Sequence, residues 1–276
     1  MKDYFLIRLL GRGGTSEVYL GVDKRSGERC AIKKYKSESA FQNAGKELEL
    51  LKKLEHPSIP GLRELVCEAG CRYAVMDYVP GITLKEKIQR EKRVAESEII
   101  RWGMELCDVL SYLHRRFPSV IYRDLKPANI MISSLDRLSL IDFGAAVELP
   151  VGGSRRGKNR ETMLPMGTPG YAAPEQFAEN AGVDERTDIY ALGATLFHML
   201  TGEKPICHSG DLRPGRMYHR KISGAMEAIV EKCLKKEMGE RYRFCEEVKE
   251  DLKQIPRNAM RRHQGFYVSR SELSFR

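Results

Sequence analysis

An aspartate, a lysine and an asparagine stand at fixed offsets in the stretch Val120-Ile121-Tyr122-Arg123-Asp124-Leu125-Lys126-Pro127-Ala128-Asn129-Ile130-Met131-Ile132, and Ile141-Asp142-Phe143-Gly144 follows shortly after. Residues 130–133 and 138–141 read as two short strands, with Ser134-Leu135-Asp136-Arg137 as the turn between them. If Ser133 pairs with Leu138, antiparallel register places Asn129 opposite Asp142 at the open end of the hairpin, because paired positions keep a constant sum. An amide and a carboxylate then face one point beside a third group, Asp124. Hard oxygen donors so arranged suit a Mg²⁺ ion that keeps waters and takes its remaining ligands from phosphates.

These residues resemble the catalytic and metal loops of eukaryotic-type (Hanks-type) protein kinases, His/Tyr-Arg-Asp-x-Lys-x-x-Asn and Asp-Phe-Gly, and the chain looks like a bacterial member of that family. The resemblance implies an α+β, bilobal protein-kinase fold. A small N-lobe with an antiparallel sheet and one helix is expected over residues 1–79, a larger, mainly helical C-lobe over 80–255, and a basic C-terminal tail over 256–276. The match runs to about residue 255, roughly nine-tenths of the chain.

The other parts of the pattern follow in chain order. Residues 4–10 and 16–21 read as strands joined by Gly11-Arg12-Gly13-Gly14-Thr15, where missing side chains let backbone N–H groups approach phosphates. This resembles the kinase glycine-rich loop, with Ser16 at the family's third glycine and Gly14 as an additional one. In the strand Arg29-Cys30-Ala31-Ile32-Lys33-Lys34-Tyr35, alternation puts Ala31 and Lys33 on one face and turns Lys34 away. A helix is expected from about 38 to 54, with apolar positions at Phe41, Ala44, Leu48, Leu51 and Leu54. Two acids there compete to pair with Lys33: Glu47 borders the apolar stripe and Glu49 points away, and the family's spacing back from His56-Pro57 selects Glu47. Such a pair exists only while the helix is docked.

The segment Asp77-Tyr78-Val79-Pro80-Gly81 looks like the hinge between lobes, with Met76 as gatekeeper and the Asp77 carbonyl and Val79 N–H as adenine contacts. By the same resemblance Leu10, Gly11, Gly13, Gly14, Ser16, Val18, Ala31, Lys33, Glu47 and Met131 belong to the ATP site. Asp124 is the expected base, Lys126 the neutraliser of the γ-phosphoryl, and Asn129 and Asp142 the Mg²⁺ ligands. Further on, Gly167-Thr168-Pro169-Gly170-Tyr171-Ala172-Ala173-Pro174-Glu175 resembles the end of the activation segment. Asp188 resembles the acid that anchors the catalytic loop, and Arg241 the late arginine that pairs with Glu175. Lys126 and Thr168 point to the serine/threonine branch, so ATP and protein Ser/Thr hydroxyls are the expected substrates. Thr162 is the expected site of an activating phosphate, with Arg123 as its counter-charge. Thr83 and Ala128 stand where relatives that prefer basic substrates carry acids.

Composition bounds these readings. A chain of 276 residues, 42% hydrophobic and 31% charged, can bury a sizeable core. No window has the length of a membrane span, and 189–200 reads as a helix buried on all sides. The start lacks a signal-peptide pattern, so a cytoplasmic setting is expected. Seven scattered cysteines read as reduced thiols. The net charge of +9 is spread along the chain, and its concentrations at 155–160 and at Arg257, Arg261 and Arg262 lack interleaved aromatics, so no nucleic-acid partner is expected. Two rivals share the fold. A pseudokinase scaffold predicts loss of Lys33, Asp124, Asn129 or Asp142, and a small-molecule kinase usually lacks the 167–175 segment. The oligomeric state is not readable from the sequence.

Overall fold

The computed structural model describes residues 1–91, 94–149, 167–178, 182–205 and 222–256. Its first part is a five-stranded antiparallel sheet in the order β1-β2-β3-β5-β4, built from β1 (Tyr4–Arg12), β2 (Ser16–Asp23), β3 (Arg29–Tyr35), β4 (Leu62–Glu68) and β5 (Cys71–Asp77). Register places Gly11 opposite Val18, Val18 opposite Lys33, and Ala31 opposite Met76. Since directly opposed residues share a face, Val18, Ala31, Lys33 and Met76 look the same way. Cys30 and Ile32 look the other way, into a small core with Tyr4, Tyr73 and Val75.

The expected single helix over 38–54 is two: α1 (Glu38–Asn43) and α2 (Gly45–Leu51). Ala44 is the joint, with φ −80° and ψ −2°, and Asn43 and Gly45 on either side are poor helix formers. The apolar stripe runs through the break, so its periodicity hid it. Both pieces cover the sheet: Tyr35, Ala40, Leu48 and Ala74 form one buried cluster, and Phe41 meets the Tyr35 ring edge-on at 5.2 Å.

Past Asp77 the chain becomes helical. A short β6 (Ile82–Thr83) leads into α3 (Leu84–Glu91), where Thr83 Oγ1 accepts from Glu86 N–H (3.1 Å) and the Glu86 carboxylate accepts from Thr83 N–H (2.8 Å). The long α4 (Glu96–His114) precedes β7 (Val120–Ile121), the hairpin β8 (Ile130–Ile132) and β9 (Leu138–Leu140), and β10 (Val147–Glu148), which pairs with β7. Then come α5 (Glu185–Thr201), α6 (Gly224–Cys233) and α7 (Cys245–Gln254). Every residue of α5 from Thr187 on is buried, in keeping with its largely apolar sequence. Asp184 caps its start, and Gly202 closes it in the left-handed region at φ +75°. No helix among the described residues is long and apolar enough to cross a membrane.

One glycine joins the two halves. Gly81 has φ +138°, and a Cβ there would run into the carbonyl oxygen of Ile132. Gly81→Ala is expected to combine backbone strain with this clash and to lower unfolding free energy by about 3 kcal/mol. Urea denaturation checks it, and a midpoint within error of the parent would contradict the packing described.

The β8–β9 register departs from expectation. Ile130 pairs with Leu140 and Ile132 with Leu138, one residue short of the predicted alignment, so Ile141 N–H donates to Asn129 O (2.9 Å) and Asp142 lies just beyond the ladder. The turn causes this. Asp136 takes a left-handed conformation (φ +59°), Ser133 N–H bonds Arg137 O at 2.9 Å, and Ser133 Oγ accepts from Arg137 N–H at 3.1 Å, giving a three-residue loop that closes on Arg137.

Candidate active site

A one-residue slip in register turns a strand's side chains to the opposite face. Asp142 does not continue that strand: at φ +69° it has left the strand conformation. Aspartate tolerates that region better than most residues. Phe143, the next residue, is buried, and its ring meets Tyr122 edge-on at 5.1 Å. Tyr122 in turn donates its hydroxyl to Ile141 O at 2.7 Å. Burial, with the nearby Asp142 carboxylate, pushes the Tyr122 phenol well above its ordinary pKa, so it remains a neutral donor.

The loop 122–129 is held from below. Asp188, fully buried in α5, accepts from Tyr122 N–H and Arg123 N–H, both at 2.8 Å, and from His114 Nε2 at 2.8 Å. Arg123 has φ +68°, a strained conformation for a side chain of this kind, and its carbonyl accepts from Gln176 Nε2 at 2.9 Å. Both backbone groups of the strained residue are thereby fixed by buried partners. Burial pulls the Arg123 guanidinium pKa down, against Asp188, which raises it.

Asp124 is the centre of a hydrogen-bonded knot. Its Oδ2 accepts from Lys126 Nζ (2.6 Å) and Asn129 Nδ2 (2.9 Å), and its Oδ1 from the Thr168 hydroxyl (2.7 Å). Lys126 also donates to Thr168 Oγ1 at 2.7 Å. Oδ1 therefore keeps a lone pair for another hydroxyl. Thr168 belongs to a segment fixed to the helical body at several points. Tyr171 hydroxyl and His198 Nδ1 share a hydrogen bond of 2.5 Å, and burial lowers the His198 pKa to about 4, which keeps that imidazole neutral. Glu175, buried, takes two bonds from Arg241, at 2.7 and 2.9 Å.

On the sheet side, Lys33 Nζ donates to both oxygens of Glu47, at 2.7 and 3.0 Å. Glu49 is exposed and pairs with Lys52. The Lys33–Glu47 pair lies close to Asp142: a Cβ on Gly144 would stand 3.2 Å from Asp142 Oδ1 and 3.8 Å from Glu47 Oε2. Gly11, Gly13 and Gly14 are exposed, none lies in the left-handed region, and a Cβ on any of them would meet no protein atom closer than 3.6 Å. Neither the fold nor the packing needs glycine there, so their bareness leaves room for something else to approach the backbone. Leu10 is exposed, Val18, Ala31, Met76, Asp77, Val79 and Met131 are half-buried, and Ser16 is buried with its carbonyl accepting Gly13 N–H at 2.8 Å. Among the described residues no group of three or more Cys, His, Asp or Glu is set to surround a metal ion. Asn129 and Asp142 offer hard oxygen donors of the kind Mg²⁺ accepts.

Three residues of this site escaped the sequence reading: Gln176, His114 and Lys36, which ties the glycine turn to β3. Each acts by a tertiary hydrogen bond, and none had a distinctive neighbour pattern. Thr162, the basic stretch 155–160 and the tail beyond Pro256 lie outside the described residues.

Residues 4–258 match the protein kinase domain family. The chain is 32% identical over 272 residues to the serine/threonine-protein kinase PknB of Mycobacterium tuberculosis, covering 91% of this chain and 42% of that protein. It is 33% identical to PknB of Mycobacterium leprae, with coverages of 90% and 42%, and 29% identical to a probable serine/threonine-protein kinase of Streptomyces coelicolor, with coverages of 90% and 39%. The chain thus spans about two-fifths of the length of these relatives.

Proposed function

Because the chain belongs to the protein kinase domain family, we propose that it is a serine/threonine protein kinase that transfers the γ-phosphate of ATP to protein hydroxyls. The observation that supports this reading is the Asp124–Lys126–Thr168–Asn129 knot, taken with a Lys33–Glu47 pair that lies close to Asp142. Phosphoryl transfer needs positioning and charge neutralisation more than covalent chemistry. Lys33, oriented by Glu47, holds the α/β-phosphates. Asp124 Oδ1 aligns the acceptor hydroxyl and takes its proton, while Lys126 meets the charge growing on the transferred group. Asn129 and Asp142 would hold Mg²⁺, which when bound neutralises and orients the phosphates.

Adenine contacts come from Leu10, Val18, Ala31, Met76 and Met131, with the Asp77 carbonyl and Val79 N–H at the hinge. Gly11, Gly13, Gly14 and Ser16 cover the phosphates. Lobes of 1–79 and 80–255 and a separate 256–276 tail belong to the same reading, as does autophosphorylation at Thr162 opposite Arg123. A cytoplasmic setting fits both the ATP requirement and the free thiols of the six described cysteines.

Incubation with γ-labelled Mg-ATP and a generic protein, followed by phosphoamino-acid analysis, tests this. Phosphoserine and phosphothreonine are expected, with a gain of phosphate on the chain itself by intact mass. ATP binding without transfer to any hydroxyl would replace the reading with a scaffold, and phosphotyrosine as the main product would overturn the acceptor class.

A further inference from the structure

Resting on the kinase reading, we propose that Lys36 is a positioning residue for the nucleotide phosphates, acting as a latch on the glycine turn. Its ammonium donates to Gly13 O at 2.6 Å, and its backbone N–H donates to Thr15 O at 3.0 Å. Together with the Gly13 N–H bond to Ser16 O, these tie down the tip of a turn whose glycines have no side chains to pack. Among the described residues Lys36 makes no ion pair; its ammonium is directed at the Gly13 carbonyl.

The direction of that carbonyl matters. Lys34 points away from the cleft, opposite Glu17 in the strand register, and Lys36 lines one outer groove with Lys34, Glu17 and Arg72. In a planar trans peptide the C=O and the following N–H point in opposite directions. A Gly13 carbonyl drawn outward to Lys36 therefore turns the Gly14 N–H inward, to the face that carries Val18 and Lys33. Glycine at both positions makes this peptide easy to rotate, so without the latch the inward N–H is one orientation among several. Lys36 selects the one that can donate to a phosphate oxygen. It touches no substrate atom; it works through the backbone.

Calorimetric titration with Mg-ATP and with adenosine separates phosphate recognition from adenine recognition. Lys36→Met, which keeps the side chain's length but not its donor, is expected to weaken Mg-ATP binding about five- to tenfold, the worth of one such hydrogen bond, and to leave adenosine binding unchanged. Lys36→Arg should restore most of the loss. Lys34→Met removes an equal charge from the same groove without touching the turn, and should bind Mg-ATP like the parent. In steady state the Lys36→Met loss should appear in KM for ATP and not in kcat.

Equal Mg-ATP affinity in Lys36→Met and the parent would overturn the latch. So would an equal loss for adenosine, which places the effect at the hinge, or the same loss in Lys34→Met, which makes it general electrostatics. Failure of the parent itself to bind Mg-ATP would instead remove the kinase reading beneath it.

Discussion

Replacing Asp124 by asparagine is expected to lower kcat for phosphate transfer by about 10²- to 10⁴-fold, the usual contribution of a positioned general base, while leaving the fold intact. The variant is nearly isosteric, and its neighbours can accommodate it. The introduced amide can keep its oxygen toward Lys126 and Asn129, which both donate to Oδ2 in the parent. Its NH₂ then faces Thr168, whose hydroxyl donates to Oδ1 in the parent but can equally accept. What is lost is the capacity to receive a proton. On the proposed reading Mg-ATP binding should change little, because the phosphates are assigned to Lys33, which Glu47 orients. Single-turnover transfer to a peptide, measured beside nucleotide affinity, separates the two effects. Comparable kcat in Asp124→Asn and the parent would remove Asp124 as the base, and a large loss of Mg-ATP affinity would mean that the carboxylate acts on the nucleotide instead.

Residues that meet through a strand face or a helix stripe were legible in the sequence, and residues that meet through a turn or a tertiary hydrogen bond were not. Lys33 and Ala31 share a face by simple alternation, and Glu47 rather than Glu49 borders the apolar stripe; in the structure Lys33 pairs with Glu47. The Glu175–Arg241 and Asp188–loop contacts came from the family pattern alone, since nothing local links positions so far apart. The β8–β9 register went astray because Ser-Leu-Asp-Arg lacks an Asn-Gly or Gly signal, and the left-handed residue proved to be Asp136. Asp142 nevertheless lies close to the Lys33–Glu47 pair, in a left-handed backbone conformation outside the shifted ladder. Periodicity missed the α1–α2 joint since Ala44 and Leu48 stay in phase across it. Gln176 and His114 acquire their roles only once α5 and the 167–175 segment have packed around the loop.

The second large effect is on stability. Arg241→Ala is expected to cost about 3–5 kcal/mol, because it leaves one charge of a buried pair without its partner. The Arg241 side chain is fully buried, and besides Glu175 it donates to the carbonyls of Lys235 (2.8 Å), Arg186 (3.0 Å) and Lys236 (2.9 Å). Removing it leaves the Glu175 carboxylate to the Thr187 hydroxyl at 3.0 Å, a neutral donor in place of a charged one, and leaves three carbonyls to find water. A domain of this kind has about 5–15 kcal/mol in all, so the variant should be near its limit at 37 °C. Lysine cannot substitute, since a single ammonium cannot span two carboxylate oxygens and three carbonyls set around a planar fork. The isolated charge dominates the loss. Arg241→Met combined with Glu175→Leu should therefore be more stable than Arg241→Ala alone, as apolar replacement of a buried pair often is. Urea denaturation of the three proteins decides it: a loss under about 1 kcal/mol for Arg241→Ala, or a double variant weaker than the single, would show that the pair is not desolvated as described.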